Sequence, residues 1–187
     1  MTQMLIDEAE VVDLVRHWLT EVVIQYRFCP FAEGALQSDA VRFSVSFGDD
    51  SMELLTEVAL ECTRLQQDST IETTLLILPR ASTAFDGFLD FMDQISVLIE
   101  ESDWSGVFQA VPFHPDFLFA GEAEGALSHF TNRSPYPIVH LLREDSVAQA
   151  VANHPDTSAI PRHNIARLQA LSSAELTRLR HRCARPH

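Results

Sequence analysis

Two short segments of opposite pattern constrain this chain more than anything else in it. Val41 to Phe47 alternates strictly, with Val41, Phe43, Val45 and Phe47 on one side and Arg42, Ser44 and Ser46 on the other. That is the pattern of a strand with one face in a core. Thr74 to Leu78 is instead a short apolar run, expected of a strand covered on both faces. Between them, Gly48-Asp49-Asp50 breaks the first strand, and Asp50 with Glu53 forms an N-cap signature for a helix running to about Gln67. Strand, helix and strand in succession define a βαβ unit, so the chain is expected to build a sheet whose early strands run parallel through helical crossovers.

The rest of the sequence extends this pattern. Val11, Val15, Trp18 and Val22 lie at helical spacing over residues 11–25, and Pro30 requires that helix to stop before it. Asp86 to Glu100 places Phe88, Met92, Ile95 and Ile99 along one stripe. Gly106 to Phe113 is a third strand and Ile138 to Leu142 a fourth, with an irregular stretch between them. Asp145 caps a short helix ending near His154-Pro155, and Ser172 with Glu175 is a capping box before Leu176 and Leu179. The expected order is α-β-α-β-α-β-β-α-α: an α/β fold with a small, mostly parallel four-stranded sheet and flanking helices. Residues 1–187 are read as a single domain with 172–187 as a basic C-terminal helix or tail. The direction of the fourth strand stays open.

Charge and cysteine usage exclude several classes. The net charge of −14 is unevenly spread: residues 1–156 hold 26 acids and 7 arginines, residues 157–187 hold 6 arginines and 1 acid, and there is no lysine. An acidic body repels both nucleic-acid backbone and anionic lipid, so neither is the expected partner. No apolar run approaches the roughly 20 residues that cross a bilayer. Met1 to Glu10 is acidic where a secretory leader would be basic and then apolar, so a cytoplasmic protein is expected. Cys29, Cys62 and Cys183 show no CxxC spacing, which argues for reduced thiols rather than a disulfide framework or a thiolate zinc site.

Ligands of open parallel sheets bind beyond the carboxyl ends of the strands. That edge collects Gly48-Asp49-Asp50, Arg80 and His114-Pro115-Asp116. An antiparallel fourth strand would add Asn132-Arg133-Ser134-Pro135-Tyr136-Pro137 at its start; a parallel one would add Arg143-Glu144 at its end. Either way an arginine joins Arg80 beside a histidine. Guanidinium groups bind carboxylate or phosphate through paired hydrogen bonds, so the expected ligand is an anionic metabolite. Arg133, Arg80, Arg143, Asn132 and Tyr136 are the candidate binding residues.

His114, two residues from Asp116, is the candidate acid–base group, unless it merely caps the strand end. Arg133 either holds a ligand or bridges surface acids, and either of the two X–Pro bonds in its loop could be cis. Cys29 ends the first helix and is either a buried structural thiol or an outlying nucleophile. Cys62 reads as core, and Cys183 as part of a fraying tail. A metal set of His114, Asp116 and His140 or His163 would serve a metal-dependent enzyme, but no HxxxH or HExxH spacing supports it. His140 reads as a core histidine; His17, His129, His154, His181 and His187 read as surface residues. No GxGxxG, GxxxxGK[ST] or GxSxG is present, and no pattern names a cofactor or an oligomeric state.

Cys29-Pro30-Phe31-Ala32, Phe113-His114-Pro115-Asp116, Asn132-Arg133-Ser134-Pro135-Tyr136-Pro137 and His140-Leu141-Leu142-Arg143-Glu144-Asp145 together resemble the bacterial family catalogued as domain of unknown function 1415. The likeness runs from the first helix to about Arg167. It implies a cytoplasmic bacterial protein standing as one domain, and it lends no activity, substrate or cofactor. A small-molecule enzyme or binder acting on an anion at the sheet edge is therefore expected. The alternatives are a non-catalytic protein-binding module, docking an acidic protein through the arginine-rich tail, and a metal-dependent enzyme using His114 and Asp116.

Overall fold

A computed structural model of the chain describes residues 7–81, 84–153 and 156–186. Helix α1 (Glu8–Trp18) opens with the Asp7 carboxylate accepting the Ala9 N–H. It runs straight into a wider π-helical turn (Leu19–Ile24), marked by Gln25 N–H donating to Thr20 O and Phe28 N–H to Val23 O. Arg27, at φ 51, turns the chain out of the helix ahead of Pro30, and a short helix α2 (Ala32–Gln37) follows. The apolar spacing over 11–25 carried no sign of α2 or of the widened turn.

Strand β1 (Val41–Val45), helix α3 (Ser51–Gln67) and strand β2 (Thr73–Ile77) form the expected βαβ unit, with β1 and β2 paired in parallel. Asp50 caps α3 as its spacing from Glu53 implied, accepting from Met52 N and Glu53 N. Helix α4 (Phe85–Glu101) then leads to strand β3 (Phe108–Phe113). A 3-10 turn (Leu127–Thr131) precedes strand β4 (Ile138–Arg143), which passes directly into α5 (Glu144–Asn153). After a second 3-10 turn (Thr157–Ala159) come α6 (Ile160–Gln169) and α7 (Ser173–Cys183), the latter capped by the reciprocal Ser172–Glu175 pair. The expected end of α5 at His154-Pro155, and the readings of His154 and His187, lie outside the described residues.

The sheet order is β1-β2-β4-β3, and this corrects the expectation of a mostly parallel sheet. β1, β2 and β3 do point one way, but β4 lies between β2 and β3 and runs against both. Two of the three pairings are therefore antiparallel. The physical reason is the connection. Parallel neighbours need a crossover that carries the chain back along the sheet, usually a helix. The segment 114–137 holds only the 3-10 turn, and it leaves and re-enters the sheet at the same edge, so β4 must run back. β3 becomes an edge strand, which is where a Pro112 inside a strand is tolerated.

Each sheet face has its own core. Leu76, Leu78, Val139, Leu141 and Phe108 meet α3 and α4 on one face. On the other, Val41, Leu75, Ile77 and Ile138 meet Trp18, Val22, Tyr136 and the helices α6 and α7. α7 is no fraying tail: Leu179 and Cys183 are buried in this second core, and Arg182 pairs with Glu21. Among the described residues no helix is long and apolar enough to cross a membrane.

The polar side of β1 is not solvated as alternation suggested. Arg42 and Ser44 point under α3 at Glu61, which is only 3% exposed. Arg42 grips the Glu61 carboxylate through two bonds, at 2.7 and 3.0 Å, and the Ser44 and Thr74 hydroxyls donate to it as well. Removing one partner of a buried pair strands the other charge. Arg42→Ala should therefore cost roughly 3 kcal/mol in urea unfolding, with Arg42→Lys recovering only part of it because an ammonium cannot donate bidentately. A loss below about 1 kcal/mol would mean the pair does not anchor α3.

Candidate functional site

The antiparallel β4 brings Asn132 to Pro137 to the edge where β1, β2 and β3 end, beside His114 and Arg80. Arg143, at the other end of β4, sits at the opposite edge. Its guanidinium donates to the carbonyls of Leu65, Asp68 and Ile71, closing the end of α3 and its following turn. Arg80 is exposed, with its guanidinium over the Phe47 ring at 5.2 Å. Arg133 is half-buried; its Nε donates to Phe117 O, its guanidinium lies 4.9 Å from the Phe130 ring centre, and its carbonyl accepts the Trp18 indole N–H. The Ser134 hydroxyl bonds Tyr136 O, no peptide in this loop is cis, and Tyr136 itself is a core residue whose phenol is pushed up by burial.

His114 is wholly buried, wedged against Phe85 and Phe88 of α4. Its Nδ1 accepts the backbone N–H of Asp116 at 3.0 Å, so the aspartate orients the ring through its main chain while its carboxylate stays exposed. The proton then sits on Nε2, which is buried without an acceptor among the described residues. Burial drives the pKa of His114 down to about 4. His129, expected at the surface, is fully buried: its Nδ1 accepts from Phe119 N–H and its Nε2 lies 2.9 Å from Ala123 O, so the ring staples the loop before the 3-10 turn. Among the described residues no group of three His, Cys, Asp or Glu side chains could hold a metal ion.

A concavity lies elsewhere, on the α1 face of the sheet, toward the end where β1, β2 and β3 begin. A cavity of about 850 Å³ is bounded there by Thr73, Leu75, Val111 and His140 of the sheet and by residues of α1, α2, α5 and α6. The π-helical turn lends Leu19 and Val23 to its wall. Such turns recur at functional sites because the wider ring re-aims side chains. Of the candidate residues, Cys29 and Asn132 border this cavity. Cys29 receives the Phe31 and Ala32 backbone N–H groups, but burial outweighs them and pushes the thiol up. Asn132 is committed inside the protein, its Nδ2 donating to Pro112 O, while its Oδ1 lies 3.0 Å from a Thr131 hydroxyl whose one proton it shares with Ser128 O.

His140 is the residue whose role the strand pattern concealed. It lies between Leu75 and Val111 across the sheet, in the middle of the cavity floor. Thr73 Oγ1 is 2.6 Å from Leu141 O and 2.7 Å from His140 Nε2. A hydroxyl has one proton, and the carbonyl can only accept, so His140 must donate from Nε2. Its Nδ1 is therefore an unprotonated acceptor. Burial lowers the pKa of His140 to about 4. Its one sequence signal was a polar ring in an otherwise apolar strand; its partner Thr73 had none, because their proximity depends on strand order.

Both histidines ionise near pH 6.5 in the unfolded chain but only near 4 in the folded one. The folded state thus binds fewer protons between these values: its stability is complete above pH 6.5 and falls as pH drops toward 4. By pH 5 the loss should reach about 2 kcal/mol per ring. Urea unfolding at pH 7.5 and pH 5.0 should show this loss in the wild type and about half of it in His114→Phe or His140→Phe. Equal losses in all three proteins would mean the rings are not what titrates.

Compared with known proteins, the chain matches the model of one family, described as Protein of unknown function (DUF1415), over residues 10–178. No curated protein and no solved structure matches it. The matched span runs from α1 into α7 and includes every segment that bounds the cavity. With most of its length inside that match, the chain belongs to this family of proteins of unknown function.

Proposed function

We propose that this protein is a small-molecule binder or enzyme whose ligand occupies the cavity on the α1 face of the sheet. The observation that carries the reading is the cavity itself. At about 850 Å³ it is within the range of ligand sites, its wall is dominated by apolar and aromatic side chains, and a few polar groups converge on it. Its rim includes Phe31 and Ile165, both more than a third exposed, so the way in is apolar too. The neutral His140 on its floor is a group that could accept a proton or a hydrogen bond from a ligand.

N-phenyl-1-naphthylamine, which fluoresces on entering an apolar site, tests this directly. It should bind the wild type saturably, and Ala35→Trp, which grows a side chain from α2 into the cavity, should weaken it by tenfold or more while leaving the circular dichroism unchanged. Dye binding that ignores Ala35→Trp would place the dye elsewhere and remove the support for this reading.

A second reading keeps the anion expected at the edge where β1 to β3 end. It rests on two buried donors with no acceptor among the described residues, His114 Nε2 and one terminal nitrogen of Arg185. A phosphate or carboxylate held there with Arg133 would satisfy both. Inorganic phosphate should then raise the melting temperature of the wild type and not that of Arg133→Ala; no shift in the wild type would leave these donors to buried water.

A further inference from the structure

The polar groups left over at the cavity wall are nearly all acceptors, and this says what kind of ligand fits, given the reading that the cavity is the site. Asn164 of α6 is 5% exposed and borders the cavity. Its Nδ2 donates to Phe28 O at 2.9 Å. A carbonyl can only accept, so this bond fixes which way the amide faces. The other end, Oδ1, is buried and has no partner among the described residues. His140 presents the same character from the floor: the Thr73 hydroxyl fixes its Nε2 as the donor, leaving Nδ1 as a lone pair.

The wall's other polar side chains sharpen this bias. The Asn132 amide and the Thr73, Thr131 and Ser128 hydroxyls already donate within the protein. Gln109 and the Ser146 hydroxyl can serve either way, and the Cys29 thiol is only a weak donor, so none of them tips the balance. Among the described residues, the charged side chains at the wall are the carboxylates of Glu72 and Glu122, and no arginine lines it. A carboxylate or phosphate entering here would meet acceptors and negative charge without a counter-ion, which a water-poor site penalises strongly.

We infer that the cavity binds a largely apolar, non-anionic molecule that presents hydrogen-bond donors, a hydroxyl, amide or amine, to His140 Nδ1 and Asn164 Oδ1. A ligand without a donor leaves both acceptors buried and unpaired, so donor and non-donor analogues of one skeleton should differ by about tenfold or more. The burial that keeps His140 neutral also keeps that acceptor available at physiological pH.

Four compounds on one skeleton test the assignment: naphthalene, 2-naphthol, 2-naphthamide and 2-naphthoate, each displacing N-phenyl-1-naphthylamine at pH 7.5. The naphthol and the amide should bind about tenfold tighter than naphthalene, and naphthoate should be weakest. His140→Phe or Asn164→Leu should shrink the margin of naphthol over naphthalene while naphthalene itself binds as before. Naphthoate binding as tightly as naphthol, or a margin untouched by both substitutions, overturns the inference even when Ala35→Trp still blocks the dye. If Ala35→Trp leaves dye binding intact, the cavity reading fails first and the ligand assignment falls with it.

Discussion

The antiparallel seating of β4 between β2 and β3 is the constraint on which the rest of this molecule depends. A central strand must find backbone partners on both sides, and β4 does so from Ile138 to Leu142. Its direction sets the contents of both ends of the sheet. It puts the Asn132–Pro137 loop beside His114, where His114 N–H bonds Asn132 O, and it sends Arg143 to the far end to hold the carbonyls after α3. Its register sets Leu142 opposite Thr73, which brings the Thr73 hydroxyl within reach of both Leu141 O and the His140 ring. A β4 running the other way would exchange the two ends and separate these groups.

The rule that ligands sit beyond the carboxyl ends of parallel strands follows from helices covering both faces, which leaves only the edge open. Here that condition fails. α3 and α4 cover one face closely, and Glu61 with Arg42, Ser44 and Thr74 saturates the one charge buried there. The opposite face is filled at one end, where Trp18, Val22, Phe130 and Tyr136 pack on Ile77 and Ile138. At the other end the covering elements are short and irregular: the π-helical turn, α2, and the join of α5 to α6. Elements of that kind cannot interdigitate as long helices do, and a hollow remains over Thr73, His140 and Val111.

Electrostatics separates the two polar regions. Among the described residues, the buried donors without a partner are His114 Nε2 and Arg185, whereas the cavity leaves acceptors, the Asn164 Oδ1 and the lone pair that the Thr73 bond assigns to His140 Nδ1. α7 belongs to the first region. Its Leu179 and Cys183 pack into the core beside Trp18, and burial raises the Cys183 thiol to about 12. The basic end of the chain is thus docked on its own acidic body through Arg182 and Glu21.

Most local structure was legible in the residues themselves. The alternation at Val41–Phe47, the Asp50 cap, the buried β2 run and the Ser172–Glu175 box each reflect backbone preferences acting within a few residues, and each element formed at its pattern, β1 ending two residues early at Val45. The direction of β4 stayed open in the sequence and is decided by the fold, where the helix-free segment between Phe113 and Ile138 makes it a return rather than a crossover. What sequence could not supply was adjacency. Glu61 reads as a polar helix residue until β1 presents Arg42 beneath it, and His129 reads as surface until its loop closes around it. The cavity is the extreme case. Thr73, His140 and Asn164 are far apart in the chain, and which atoms they leave unpaired follows from bonds to Leu141 O and Phe28 O that exist only once strand order and the α6 docking are set. Local propensity acts between neighbours in sequence, whereas a hydrogen-bonding site is made of neighbours in space.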